Sequence, residues 1–273
     1  MNNLYIMQKT FNNTFLYYLL LIFIVLLLFI NNSSFQDNNP TCNNFVINIY
    51  LYLAFSVCLV GLFAYLINFL LYKNTNNLYK PLEPFKIYDE LGGMGFYILS
   101  VILTFVLIFL ITLSQTFGNE NIFYNHLIWL LFLACISYSL YPRFKSIYSF
   151  MFVDQAVLIT SLIFISATFF YYMFADFFKQ YDTAIGMGLL LALFVIIILE
   201  LLHLLFFKYS FSFFKFSSYF VIVLFSMFVS YDTLEMVKRE EQCTSLPNYP
   251  KLSIDFFLDI LNIFSRVLFL RSK

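Results

Sequence analysis

Ser230-Tyr231-Asp232-Thr233 closes one long apolar run, and Leu258-Asp259-Ile260-Leu261-Asn262 lies inside the next. Two carboxylates therefore fall at the edge of, or within, segments that otherwise read as membrane. A carboxylate near the bilayer centre costs about 2.5–3.5 kcal/mol on insertion scales unless it is paired, protonated or hydrated. Each is for that reason a functional candidate. Read as a helix, residues 253–270 put Asp255, Asp259, Asn262 and Arg266 on one face, three or four positions apart, among Phe, Leu, Ile and Val. A stripe of this kind must point into a helix bundle, where Asp232 is the expected partner. Adjoining carboxylates cannot both ionise cheaply, so the two acids are expected to share a proton or hold a cation and to titrate as one unit. The plainer alternatives make Asp232 and Asp259 a structural carboxylate pair, or Asp232 a cap at a helix end, satisfying backbone donors.

Other polar groups offer less. Glu200 and His203 stand at i and i+3 in the middle of an apolar helix, the spacing used in di-iron bundles. That chemistry needs a second copy and further carboxylates, and only His126 remains, so no metal site is expected. Both side chains are read instead as pairing with other helices, Glu200 protonated or hydrogen-bonded, along a wet passage. Tyr181-Asp182-Thr183 repeats the tripeptide at 231–233 but sits in a polar turn before a helix, where Asp182 or Thr183 caps naturally. Gly92-Gly93 and Gly95 mark a turn with no phosphate-cradling pattern. Nothing resembles a Ser/His/Asp or Cys/His arrangement, so no enzyme and no cofactor are expected.

The elements that must position these groups are apolar throughout. The 273 residues are 62% hydrophobic and 11% charged, with mean hydropathy +0.85, whereas soluble chains carry about 25% charged residues. A net charge of zero without a basic face argues against nucleic acid as a partner. Runs of spanning length occupy 15–30, 45–72, 95–115, 124–141, 152–174, 184–207 and 212–231, with the striped 253–270 last. If all cross, Lys179, Lys238, Arg239 and Lys251 lie on one side and the other eleven of the fifteen Lys and Arg on the opposite, cytosolic or matrix side, with both termini. A re-entrant last segment would move the C-terminus and the 232–252 loop. Cys58 and Cys135 fall within spans and read as core residues. Cys42 and Cys243 fall in loops on the less basic side, where an oxidising compartment would permit a disulfide, although loop spacing does not establish approach. Asn31-Asn32-Ser33 and Asn32-Ser33-Ser34 are acceptor sequons on that same side.

Tyr231-Asp232-Thr233-Leu234-Glu235-Met236-Val237-Lys238-Arg239-Glu240, followed by Asp255-Phe256-Phe257-Leu258-Asp259-Ile260-Leu261-Asn262-Ile263-Phe264-Ser265-Arg266, resembles the C-terminal signature of the Bax inhibitor (transmembrane Bax-inhibitor-motif) family. Gln155-Ala156-Val157-Leu158-Ile159-Thr160 and Gly186-Met187-Gly188-Leu189-Leu190 resemble the starts of that family's fourth and fifth helices. The resemblance covers about residues 45–270. It implies an all-α integral membrane protein, a multi-pass helical bundle with a seven-helix Bax-inhibitor-like core over 45–273 and one extra transmembrane helix within 1–44.

The resemblance also implies a job, a proton-sensitive cation (Ca2+) leak or a modulator of organelle calcium and cell death. Asp232 and Asp259, at the matching motif positions, would set permeation, and Asp255 would help form a cation-binding mouth; Asn262, Arg266, Glu200 and His203 are read as supporting polar groups from their places in apolar helices, not from the resemblance. Ca2+ enters as permeant ion, not as cofactor. One departure stands out. The family's second helix often supplies a basic residue that latches the acids, and residues 95–115 contain no Lys, Arg or His. Arg266 or a residue of 232–252 would substitute, or the switch is lost. The second reading is a non-transporting accessory subunit of a large inner-membrane assembly such as a respiratory complex. Membrane lipid is the expected surrounding, a larger membrane complex a candidate partner. The mitochondrial inner membrane is favoured, with an ER or Golgi membrane as alternative.

Overall fold

A computed structural model describes residues 2–36, 39–72, 94–118, 121–146, 150–206 and 210–271. The described residues form nine helices and one short hairpin: α1 Asn2–Ser34, β1 Phe35–Gln36, β2 Asn39–Pro40, α2 Phe45–Tyr72, α3 Met94–Leu113, α4 Ile122–Ser146, α5 Phe150–Met173, α6 Ala175–Gln180, α7 Asp182–Phe206, α8 Phe211–Glu241 and α9 Tyr249–Arg271. Helix is what these runs must form in lipid, because only local bonds satisfy every backbone N–H and C=O there. Among the described residues, seven helices are long and apolar enough to cross a membrane: α1 to α5, α7 and α8. The eighth expected run is helical too, as α9, but it carries Asp255, Asp259 and Arg266 along its length. Gly95 belongs to α3, not to a turn, and Gly92-Gly93 lies outside the described residues, as do Lys73, Lys80, Lys86, Lys208 and Lys273 of the charge count.

The chain divides into two compact units. The first comprises Met1–Ser146 with Cys243–Ser253. In it α1 packs along α2, and α4 lies against both α2 and α3. Its polar core is at the loop end. Asn48 is fully buried, and its amide donates to Asn43 O at 2.8 Å, Ser33 O at 3.2 Å and Tyr249 Oη at 3.0 Å, while its Oδ1 accepts from Ser33 Oγ at 2.6 Å. Tyr249 Oη donates to Thr41 O. The 243–253 segment is held further by Gly118 N–H donating to Leu246 O, by Asn248 on Ser114 and Gln115, and by Lys251, whose ammonium donates to the carbonyls of Thr112 and Ser114 at the end of α3. Cys42 and Cys243 are bonded, with Cα atoms 5.9 Å apart, so the approach that loop spacing left open is made.

The second unit comprises Ile147–Gln242 with Ile254–Lys273. Helix α8 is its axis, with α5 and α7 packed against it. Ser230 Oγ donates to Ala167 O at 2.8 Å, and Tyr171, Phe178 and Leu234 form a buried cluster between α5, α6 and α8. Gly186 of α7 faces Tyr231 of α8 so closely that a Cβ there would lie 2.6 Å from Tyr231 Oη and 2.8 Å from its Cζ. No larger residue fits that crossing unless the tyrosine moves.

Candidate functional site

Helix α8 does not stop at Tyr231. It continues to Glu241, and no Gly or Pro interrupts the chain between Ser230 and Pro247. The expected 232–252 loop is therefore helical over its first ten positions, and Asp232 lies about 14 Å of helix axis short of the helix end. Its carboxylate cannot be an N-cap or a C-terminal partner. The capping alternative is corrected on that ground.

On α9, Asp259 is buried, only 6% exposed, and its carboxyl lies within hydrogen-bonding reach of Asp232. A hydrogen bond between two carboxyl groups requires a proton on one of them, because an ionised carboxylate only accepts. Asp255, one turn earlier on α9, is near enough to both acids to repel their charges. Across from it, Arg239 of α8 comes within 3.7 Å of the Asp255 carboxylate and also attracts Asp232. Four carboxylates, Glu235 of α8 among them, and one guanidinium, from two helices, thus share one neighbourhood inside the second unit. Asp259 is the buried member, and Asp255 is the open one, its side chain 46% exposed.

The remaining predicted residues go elsewhere. Asn262 is exposed, and its amide donates to Leu258 O of its own helix, so it does not join the acids. Arg266 does not latch them either. Its guanidinium clasps Glu200 of α7, Nη1 at 2.8 Å from Oε1 and Nη2 at 2.9 Å from Oε2, while Ser217 Oγ of α8 donates to Oε1. Glu200 is hydrogen-bonded, as expected, but as half of an ion pair and not as a neutral acid. His203 stacks on Phe213 with ring centroids 3.9 Å apart. Among the described residues no group of three His, Cys, Asp or Glu could hold a metal. At the start of α7, Asp182 is bound by Lys238, which also reaches Glu235 at 2.9 Å, so its carboxylate serves α8.

Ser217 is not singled out by the sequence, and Lys238 and Arg239 enter there only as charges of the 232–252 segment. Once α8 runs through Glu241, Asp232, Glu235 and Arg239 recur at helical spacing on one side, and that continuity was the available signal.

A family model described as inhibitor of apoptosis-promoting Bax1 matches residues 42–271. The chain belongs to the Bax inhibitor family. No curated protein matches it. It is a Bax-inhibitor-like, multi-pass helical membrane protein, and the matched region runs from Cys42 through α9. Helix α1 precedes that region. As a Bax inhibitor family protein it carries the acids of the C-terminal signature in contact, with Arg239 of α8 as the cation beside them.

Proposed function

We propose that this Bax inhibitor family protein is a proton-sensitive cation leak that passes Ca2+, with Asp232 and Asp259 as the groups that set permeation. The observation that carries this reading is the contact of two carboxyls, one from each of the last two long helices, inside an otherwise apolar bundle. With one proton between them the acids carry a single negative charge. Losing it leaves two adjoining charges, which a divalent cation neutralises. Arg239 takes the place of the basic residue that α3 lacks, and Asp255 holds it beside the pair. Asp255 is also the exposed carboxylate from which a cation would step to the buried pair.

The Cys42–Cys243 bond supports a membrane one face of which meets an oxidising compartment, such as the ER or Golgi lumen or the mitochondrial intermembrane space. Reconstitution in liposomes with an internal Ca2+ dye tests the reading. D232N and D259N should each alter Ca2+ flux relative to wild type. Wild-type flux in both variants at every pH would remove the mechanism, and stoichiometric migration with a megadalton complex on native gels would favour the accessory-subunit reading.

A further inference from the structure

The Glu200 carboxylate lies between Leu199 and Leu201, six residues before the end of α7, in a stretch of exposed Ile, Leu and Phe. Its side chain is only 18% exposed, and both of its oxygens are occupied by Arg266 and Ser217. Three helices meet at this one ion pair. Apolar side chains of the same volume would pack there at lower cost, because two charges give up hydration to meet in such surroundings. Stability alone does not account for it.

Its position does. Arg266 follows Asp259 by seven residues on α9, which is nearly the same azimuth and about 10 Å further along the axis. One face of α9 therefore presents Asp255 with Arg239, then Asp259 with Asp232, then Arg266 with Glu200. A cation leaving the acids along that face next meets a guanidinium. Beyond the guanidinium stand a carboxylate and a hydroxyl, the oxygen ligands that hard cations take.

We infer that Glu200 and Ser217 form a second cation site, held shut by Arg266 as a tethered counter-ion. The inference rests on the leak reading and adds a second closure to it. Exchange is electrostatic: the guanidinium swings off the carboxylate, a Ca2+ or alkali cation takes its place, and no covalent bond changes.

The test compares Ca2+ entry into liposomes carrying wild type, R266Q, R266K, E200Q and D232N, each checked for folding by its melting curve. R266Q bares the carboxylate, so flux should rise several-fold. R266K keeps a cation and should stay at the wild-type level. E200Q removes the site and leaves the arginine charge in place, so flux should be at or below wild type. A purely structural ion pair predicts lower melting temperatures in both variants and no rise in flux in R266Q. Equal flux in R266Q and E200Q overturns the inference. If R266Q does not fold, R266M keeps the aliphatic stem and carries the same expectation. If D232N changes flux and R266Q does not, the second site fails alone. If D232N and R266Q both match wild type, the leak reading fails and takes this one with it.

Discussion

Asp232 of α8 and Asp259 of α9 touch through their carboxyls, and Asp259 is the more deeply buried of the two. If the protein leaks Ca2+ as proposed, the contact sets the sign of its pH response. At low pH both groups are neutral and nothing draws a cation to them. As pH rises the protons leave, and the two charges that remain admit a divalent ion. Ca2+ flux through wild type should therefore increase with pH. D232N and D259N should each flatten the profile, and an unchanged slope in both would contradict the shared proton.

Arg239 should tune that response with little effect on stability. Its pair with Asp255 is partly open to solvent, and such pairs contribute about 0–1 kcal/mol. R239Q should therefore melt close to wild type. Removing a nearby cation makes carboxylate charge harder to form, so the rise in flux should begin at a higher pH. A profile superimposable on wild type would show that Arg239 is not the latch.

Gly186→Ala should destabilise the second unit by about 1–3 kcal/mol, the usual cost of overpacking a close crossing. Tyr231→Phe in the same chain should restore only part of the loss, because it deletes the atom at 2.6 Å and leaves Cζ at 2.8 Å. Gly188→Ala is the control. Nothing lies within 4 Å of a Cβ there, so its melting temperature should not fall.

In the first unit, Asn48→Ala strands Ser33 and the carbonyl of Asn43 without the amide they now meet. Each unsatisfied buried group costs about 1–3 kcal/mol, so the variant should melt well below wild type. Tyr249→Phe loses the bonds to Thr41 and Asn48 alone and should cost less. Thermal melts in detergent separate the two; equal losses would mean that Asn48 acts only through Tyr249.

The helices were legible because each is a long apolar run, which in lipid has one satisfactory backbone conformation. The acid pair was legible too, since a carboxylate costs so much in such a run that it must find a partner. What failed was the end of α8. Polarity begins at Tyr231 and reads as a helix boundary, although Asp232 to Glu241 contain no breaker and supply charges that pair at helical spacing. Arg266 lies on the expected face of α9, but as one of the substitutes offered for the missing latch it pairs elsewhere, because spacing along one helix says nothing about which neighbour is opposite. Glu200 on α7 is the nearer carboxylate. Asn262 shows the same limit: its amide is used by its own helix.

Of the four cysteines, Cys58 lies in α2 and Cys135 in α4, both inside spanning segments, so an oxidant in the aqueous phase meets only Cys42 and Cys243. Oxidation therefore has a single product, without competing isomers to reshuffle. The first thiol must wait, though, while the next 201 positions are synthesised and threaded through the bilayer. A nascent chain whose last pair of helices entered the membrane the wrong way round would leave Cys243 on the far side, unable to close the ring. The bond is thus a chemical record that insertion was completed in the right order.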